Sequence, residues 1–181
     1  MTDTGEDGGE ADPRWFDGKV ETAFVARVRH KATVVLGDLV PPDATWSLGD
    51  FGDGLLVVDV PGLPASEHPV INSSIQVLWE RGSLRGYWGC AHLFDDFDPA
   101  DSEALLIQGL PLDEGQAADL AVDWFAHELR RPLVFQTWDK GDQVVAQRWV
   151  LSDTDRVLGA KGSRWAMRGT PTAVAEVRPR A

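Results

Sequence analysis

One amphipathic helix held between two short-turn hairpins limits what this chain can become more than any other feature. Residues 113–131 carry Ala118, Ala121, Val122, Phe125 and Leu129 at i, i+3, i+4, i+7 and i+11, one continuous apolar stripe. Asp113 and Gln116 stand at the spacing of a capping box, with Asp in place of Ser or Thr. Asp113, Glu114 and Asp119 fall in its first half and Arg130 and Arg131 at its end, which suits the helix dipole, and Pro132 stops it. Before it, Ile75, Val77 and Trp79 alternate with Gln76, Leu78 and Glu80, turn at Arg81-Gly82-Ser83, and return through residues 84–92. After it, residues 133–138 and 143–151 pair around Asp139-Lys140-Gly141-Asp142. Hairpins are antiparallel, and a helix with one apolar stripe must lay that stripe on a sheet or on another helix.

The remaining segments fill in the same class. Asp12-Pro13 suits a helix start, and Phe16, Val20, Phe24 and Val28 recur every four residues, so a helix is expected over residues 15–36. Thr33-Val34-Val35 fits a strand equally well. Residues 55–60 form a β-branched run closed by Pro61-Gly62, and 104–108 and 173–177 are short strand candidates, the last at an edge. Residues 152–162 are expected as a turn or short helix. Gly86 and Gly89 inside a strand imply a bulge or the close approach of another backbone. Trp79-Glu80-Arg81-Gly82 is echoed by Trp138-Asp139-Lys140-Gly141, too short a likeness to make a repeat. The expected fold is α+β, a largely antiparallel sheet of about five to seven strands with two main helices on one face. With 181 residues, a single domain over 13–170 is expected, between a disordered acidic tail at 1–12 and an edge strand or frayed tail at 171–181.

Charge is distributed unevenly. The formal net charge is −12. Residues 38–128 hold 17 acids against only Arg81 and Arg85, whereas residues 129–181 hold 10 basic and 5 acidic side chains. An acidic middle repels phosphate backbones and anionic lipid, which makes nucleic acid an unlikely partner and favours encounter with a basic protein. No run reaches the length of a membrane span, and the N-terminus has neither the basic nor the apolar region of a signal peptide, so a cytoplasmic location is expected. Arg outnumbers Lys 13 to 4, a usage that suggests a GC-rich bacterial genome.

The chemistry-bearing patterns are mostly missing. Neither a Walker A motif nor G-x-G-x-x-G occurs, and the glycine-rich stretch 49–54 carries two carboxylates and no Lys, so it is read as a turn. His30, His68, His92 and His127 form no H-E-x-x-H pair, and one Cys supplies no thiolate pair. The acidic loop 95–103 lacks the EF-hand pattern, having Asp101 where Gly is needed and Ile107 where Glu is needed. Cys90 and His92 share a strand face without any surrounding catalytic signature, and no G-x-S-x-G is present. No catalytic residue, metal or cofactor is therefore assigned.

Eight tryptophans remain to be placed. Tryptophan is a core filler and also a common binding anchor. If helices cover one sheet face only, some of Trp79, Trp88, Trp138 and Trp149 meet water or a partner. In size, charge and absence of active-site motifs the chain resembles the small acidic inhibitor and immunity proteins that bacteria pair with basic toxins. No stretch of sequence carries that likeness, and no residue's role follows from it. The expected function is a non-enzymatic interaction module whose Asp95, Asp96, Asp98 and Asp101, with Trp79 and Trp88, meet a basic protein partner. The alternatives are a small hydrolase or transferase with a site around His92, His127 and nearby carboxylates, an accessory subunit of a larger assembly, and nucleic-acid contact through Arg148, Lys161, Arg164 and Arg168.

Overall fold

A computed structural model describes residues 14–18, 22–48, 52–64, 72–90 and 97–178. The acidic tail at 1–12, together with His92, Asp95 and Asp96, lies outside the described residues. Helix α1 spans Ala23–Val35, strands β1 to β5 span Thr45–Leu48, Gly54–Asp59, Ser74–Glu80, Ser83–Gly89 and Leu105–Ile107, and helix α2 spans Glu114–Arg130. Strands β6 to β9 follow at Leu133–Lys140, Gln143–Leu151, Arg156–Gly162 and Ala173–Arg178. The class is α+β and every strand pairing is antiparallel. The strands divide into two sheets, of order β1-β2-β3-β4-β5 and β8-β7-β6-β9, with α2 as the connection between them.

Helix α2 forms where its pattern demands. The Asp113 side chain accepts from the Gln116 backbone N–H, and the Gln116 side chain accepts from the Asp113 N–H, so both halves of the capping box are made. The hairpin between β3 and β4 closes through Arg81 and Gly82, both left-handed, at φ 49 and 77, the backbone of a tight twisted turn. Its register puts Val58, Ile75 and Trp88 in one row, and Leu56, Val77 and Gly86 in the next. These rows face α1 and α2, and the buried cluster joins them to Phe24, Val28, Ala121, Val122 and Phe125. No bulge occurs at Gly86. A Cβ there would lie 3.0 Å from the Trp124 ring and 3.1 Å from the Leu105 Cβ, so the close approach is an indole rather than a second backbone.

Three segments differ from the sequence-based expectation. Helix α1 starts at Ala23, where the Thr22 hydroxyl accepts from the Val25 N–H, and not at Asp12-Pro13. Phe16 is instead in a left-handed turn, φ 49, with its ring stacked on Phe125 at 5.6 Å. Arg29 of α1 reaches back to the Trp15 and Phe16 carbonyls and so fixes that turn to the helix. Residues 152–155 turn as expected, with Asp155 at φ 58, but the rest of that segment is neither turn nor helix: β8 pairs along β7 with Leu158 buried. An Asp accepts the left-handed region at less cost than most side chains, and an extended run then satisfies the backbone through the ladder. The face of the first sheet turned away from the helices is also closed, since Leu55, Val57, Gln76 and Tyr87 are buried and Phe97 lies edge-on against Tyr87.

Phe125 is fully buried between Phe16, Trp124 and the first sheet. Phe125→Ala removes this shared wedge and is expected to cost about 3–5 kcal/mol, read from the urea unfolding midpoint at constant slope.

Candidate functional site

The end of α2 carries Trp124, His127, Glu128 and Arg131 at i, i+3, i+4 and i+7, so they share one side of the helix. The chain before β5, at residues 102–105, and the β7–β8 turn, at Asp153 and Thr154, close around them. Together they line a recess of about 380 Å³. Arg131 stands at its centre with a side chain only 6% exposed. Its Nε and Nη2 bind the two oxygens of Asp153 at 2.9 and 3.1 Å, a bidentate fork. Its Nη1 donates to Glu103 Oε2 and to Glu128 Oε2, each at 3.0 Å, and Nη2 also donates to the Thr154 hydroxyl at 2.7 Å.

Two further arginines complete the cluster. Arg156 bridges Asp101, at 2.8 Å, and Glu103, at 3.3 Å. Arg178, on β9, donates to the backbone carbonyls of Arg131 and Glu128 and thereby satisfies the exposed end of α2. The network thus joins α2, the loop before β5, the β7–β8 turn and β9. It is a fastener between the two sheets as well as the wall of a recess.

The electrostatics hold Glu103, Asp153 and Arg131 in their charged forms. Burial pushes the Glu103 carboxyl up, but hydrogen bonds from Arg131, Thr154 and Arg156 and the Arg131 charge outweigh it and leave it below its ordinary 4.5. Hydrogen bonding from Arg131 likewise holds Asp153 below its ordinary 3.8, against a smaller opposing effect of burial. For Arg131, burial is outweighed by Asp153, Glu103 and Glu128, and the guanidinium is raised above its ordinary range. Burial is the dominant effect on Arg178 and lowers it. Glu103 and Asp153 are therefore fixed anions, suited to accepting hydrogen bonds from a cation rather than to delivering protons.

Of the residues expected to meet a partner, Asp95 and Asp96 lie outside the described residues. Trp79 is 4% exposed and stacks on Phe24 at 6.0 Å, so it belongs to the core and offers no surface. Trp88, 2% exposed, turns its Nε1–H inward to Glu128 Oε2 at 2.6 Å. Both burials have one cause: the helix-facing side of the first sheet takes these aromatic rings into the core. Asp101 is taken up by Arg156, while its other oxygen accepts from the Glu103 N–H. Asp98 is exposed and accepts from the Ala100 N–H in a turn.

The sequence reading passes over two features that the structure brings forward. Glu128 lies on the buried side of α2 between Phe125 and Leu129, and a carboxylate at such a position is the signal that a partner waits inside. Trp165 is the one exposed tryptophan, 77% accessible, with the Arg168 guanidinium 4.2 Å over its ring. The basic residues of the last third are divided: Arg148 stacks on Trp138 and binds Gln136, while Lys161, paired with Gln147, alternates to the opposite sheet face. Among the described residues no group of His, Cys, Asp and Glu is arranged to hold a metal ion, and no helix is long and apolar enough to cross a membrane.

No family model, curated protein or solved structure matches this chain.

Arg131→Met strands Glu128 and Asp153 without their shared cation and is expected to cost about 3–5 kcal/mol in chemical unfolding. The pH dependence has the sign of the depressed Glu103 and Asp153 carboxyls. Their stabilisation is fully present above the ordinary carboxylate range and is lost as pH falls through the lowered folded values. The urea midpoint is expected to stay level from neutral pH to about pH 5 and to fall below about pH 4.

Proposed function

We propose that this chain is a non-enzymatic, acidic protein-interaction module that binds a basic protein partner. One observation carries the reading: three carboxylates, Glu103, Glu128 and Asp153, converge on an open recess. Asp155, adjacent in sequence to the lining Thr154, is exposed, and Asp98 is exposed on the loop that leads into Asp101 and Glu103; Asp123, beside Trp124, is exposed and shares Lys31 with Asp119. Some of the chain's negative charge is thereby offered to solvent near a concave surface, at Asp98 and Asp155. Such a surface raises the encounter rate with a cationic partner and sets its orientation. The buried tryptophans take no part; Trp124, half-buried at the recess, is the aromatic group available there.

The test is kinetic. A partner trapped by cross-linking in the source cells is purified, and its association with the chain is measured at low and high salt. The triple change Asp98→Asn, Asp123→Asn and Asp155→Asn is expected to slow association at low salt by about tenfold or more while leaving dissociation nearly unchanged. The difference is expected to shrink at high salt. An acidic partner, or an association rate indifferent to both salt and the triple change, contradicts the reading.

A further inference from the structure

We infer that the recess receives one cationic side chain, a lysine or arginine of the partner, bound between the Glu128 carboxylate and the Trp124 ring. The inference rests on the reading of the chain as an acidic interaction module and names the group that its recess takes.

The first support is an unused acceptor. The Glu128 side chain is 3% exposed and lines the recess. Its Oε2 already accepts from Trp88 Nε1 and Arg131 Nη1. Its Oε1 accepts no hydrogen bond among the described residues, and its contact with His127 Nε2, at 3.8 Å, is too long to be one. Ser83 Oγ is the one fully buried side-chain polar atom without a partner among the described residues, so Glu128 Oε1 still reaches solvent, and the recess that Glu128 lines is the open side from which a donor can arrive.

The second support is charge. Asp101, Glu103, Glu128 and Asp153 make four carboxylates in one cluster. Arg131 and Arg156 meet them in direct ion pairs, and Arg178 binds backbone carbonyls only. One negative charge is left over even when Arg178 is counted. Nε, Nη1 and Nη2 of Arg131 all donate within the network, to its carboxylates and to the Thr154 hydroxyl, so this guanidinium is not presented to an anionic ligand.

The third support is the ring beside Glu128. Trp124 sits one helical turn before it, half-buried, its indole lying over Gly86. An indole beside a carboxylate is a good receptor for an ammonium or guanidinium group, which the ring face attracts while the carboxylate takes the hydrogen bond. A volume of about 380 Å³ is at the small end for ligand recesses, roughly 300–1,000 Å³, and admits one long side chain rather than a folded segment.

The test uses the whole ¹⁵N-labelled chain and three blocked amino acids: N-acetyl-lysine methylamide, N-acetyl-arginine methylamide and the uncharged N-acetyl-norleucine methylamide. The Trp88 and Trp124 indole N–H resonances are the reporters, since one bonds to Glu128 and the other belongs to the ring beside it on α2. At least one cationic compound is expected to shift both saturably, and norleucine to shift neither. Trp124→Leu is expected to weaken that binding by roughly 3- to 30-fold. Glu128→Gln is expected to abolish it; should that variant fail to fold, Trp124→Leu and the norleucine control decide. Equal shifts with norleucine, shifts confined to other tryptophans, or unchanged affinity in Trp124→Leu overturns the inference. A decalysine peptide separates the two readings. If it binds while Trp88 and Trp124 stay still, the acidic module stands and this recess is not its receptor. If neither decalysine nor the blocked cations bind, both fall.

Discussion

A single buried guanidinium holds the two halves of this molecule in register. Arg131 leaves the end of α2 and collects Glu103 from before β5, Glu128 from the helix itself, and Asp153 and Thr154 from the β7–β8 turn. Arg178 then ties β9 to the same helix end through two backbone carbonyls. Burying such groups is expensive, and apolar side chains of similar volume often do as well or better for stability. What the ionic arrangement supplies beyond an apolar joint is direction: the bidentate fork to Asp153 fixes the turn against the helix in one geometry. It also supplies a fixed field, because the carboxylates outnumber the guanidinium groups around them.

Much of the fold is legible in the chain because local and tertiary requirements agree. The stripe and capping box of α2, and the alternation and glycine-bearing turns of both hairpins, each specify an element that packing then retains. The failures have physical causes. Phe16 falls on the every-fourth-residue pattern of α1, yet its ring is needed against Phe125, so the chain turns there and the helix begins later. Val34 is helical and 85% exposed, although its β-branched neighbours fit a strand, because the rest of α1 is already packed on α2 and the first sheet. The second sheet was hidden for another reason: periodicity marks strands, but nothing local to β6 to β9 says that they pair apart from β1 to β5.

The site is less legible than the fold. Acid abundance draws attention to the loop before β5, but its two acids nearest the strand, Asp101 and Glu103, are spent on Arg156 and Arg131. Glu128 and Arg131 are three residues apart on a helix, an ordinary surface spacing, and only the buried position of Glu128 among apolar residues distinguishes the pair. Trp79 and Trp88 are strand residues whose faces could be assigned only once the helices were placed. Trp165 follows no periodic pattern, and its exposure is a matter of where the β8–β9 connection runs. Binding, on this account, belongs to what the core leaves unsatisfied at its edge: a carboxylate oxygen, an indole face and the uncompensated charge around them.

The central claim is that the Arg131 network is closed and rigid, so that the recess exists before any partner arrives. Hydrogen exchange of the Arg131 Nε–H and the Trp88 indole N–H measures this directly, because both protons lie inside the network. The account predicts that the two exchange together and only through opening on the scale of global unfolding. Exchange of either at the rate of a freely exposed side chain, under conditions where the backbone of α2 stays protected, would contradict it.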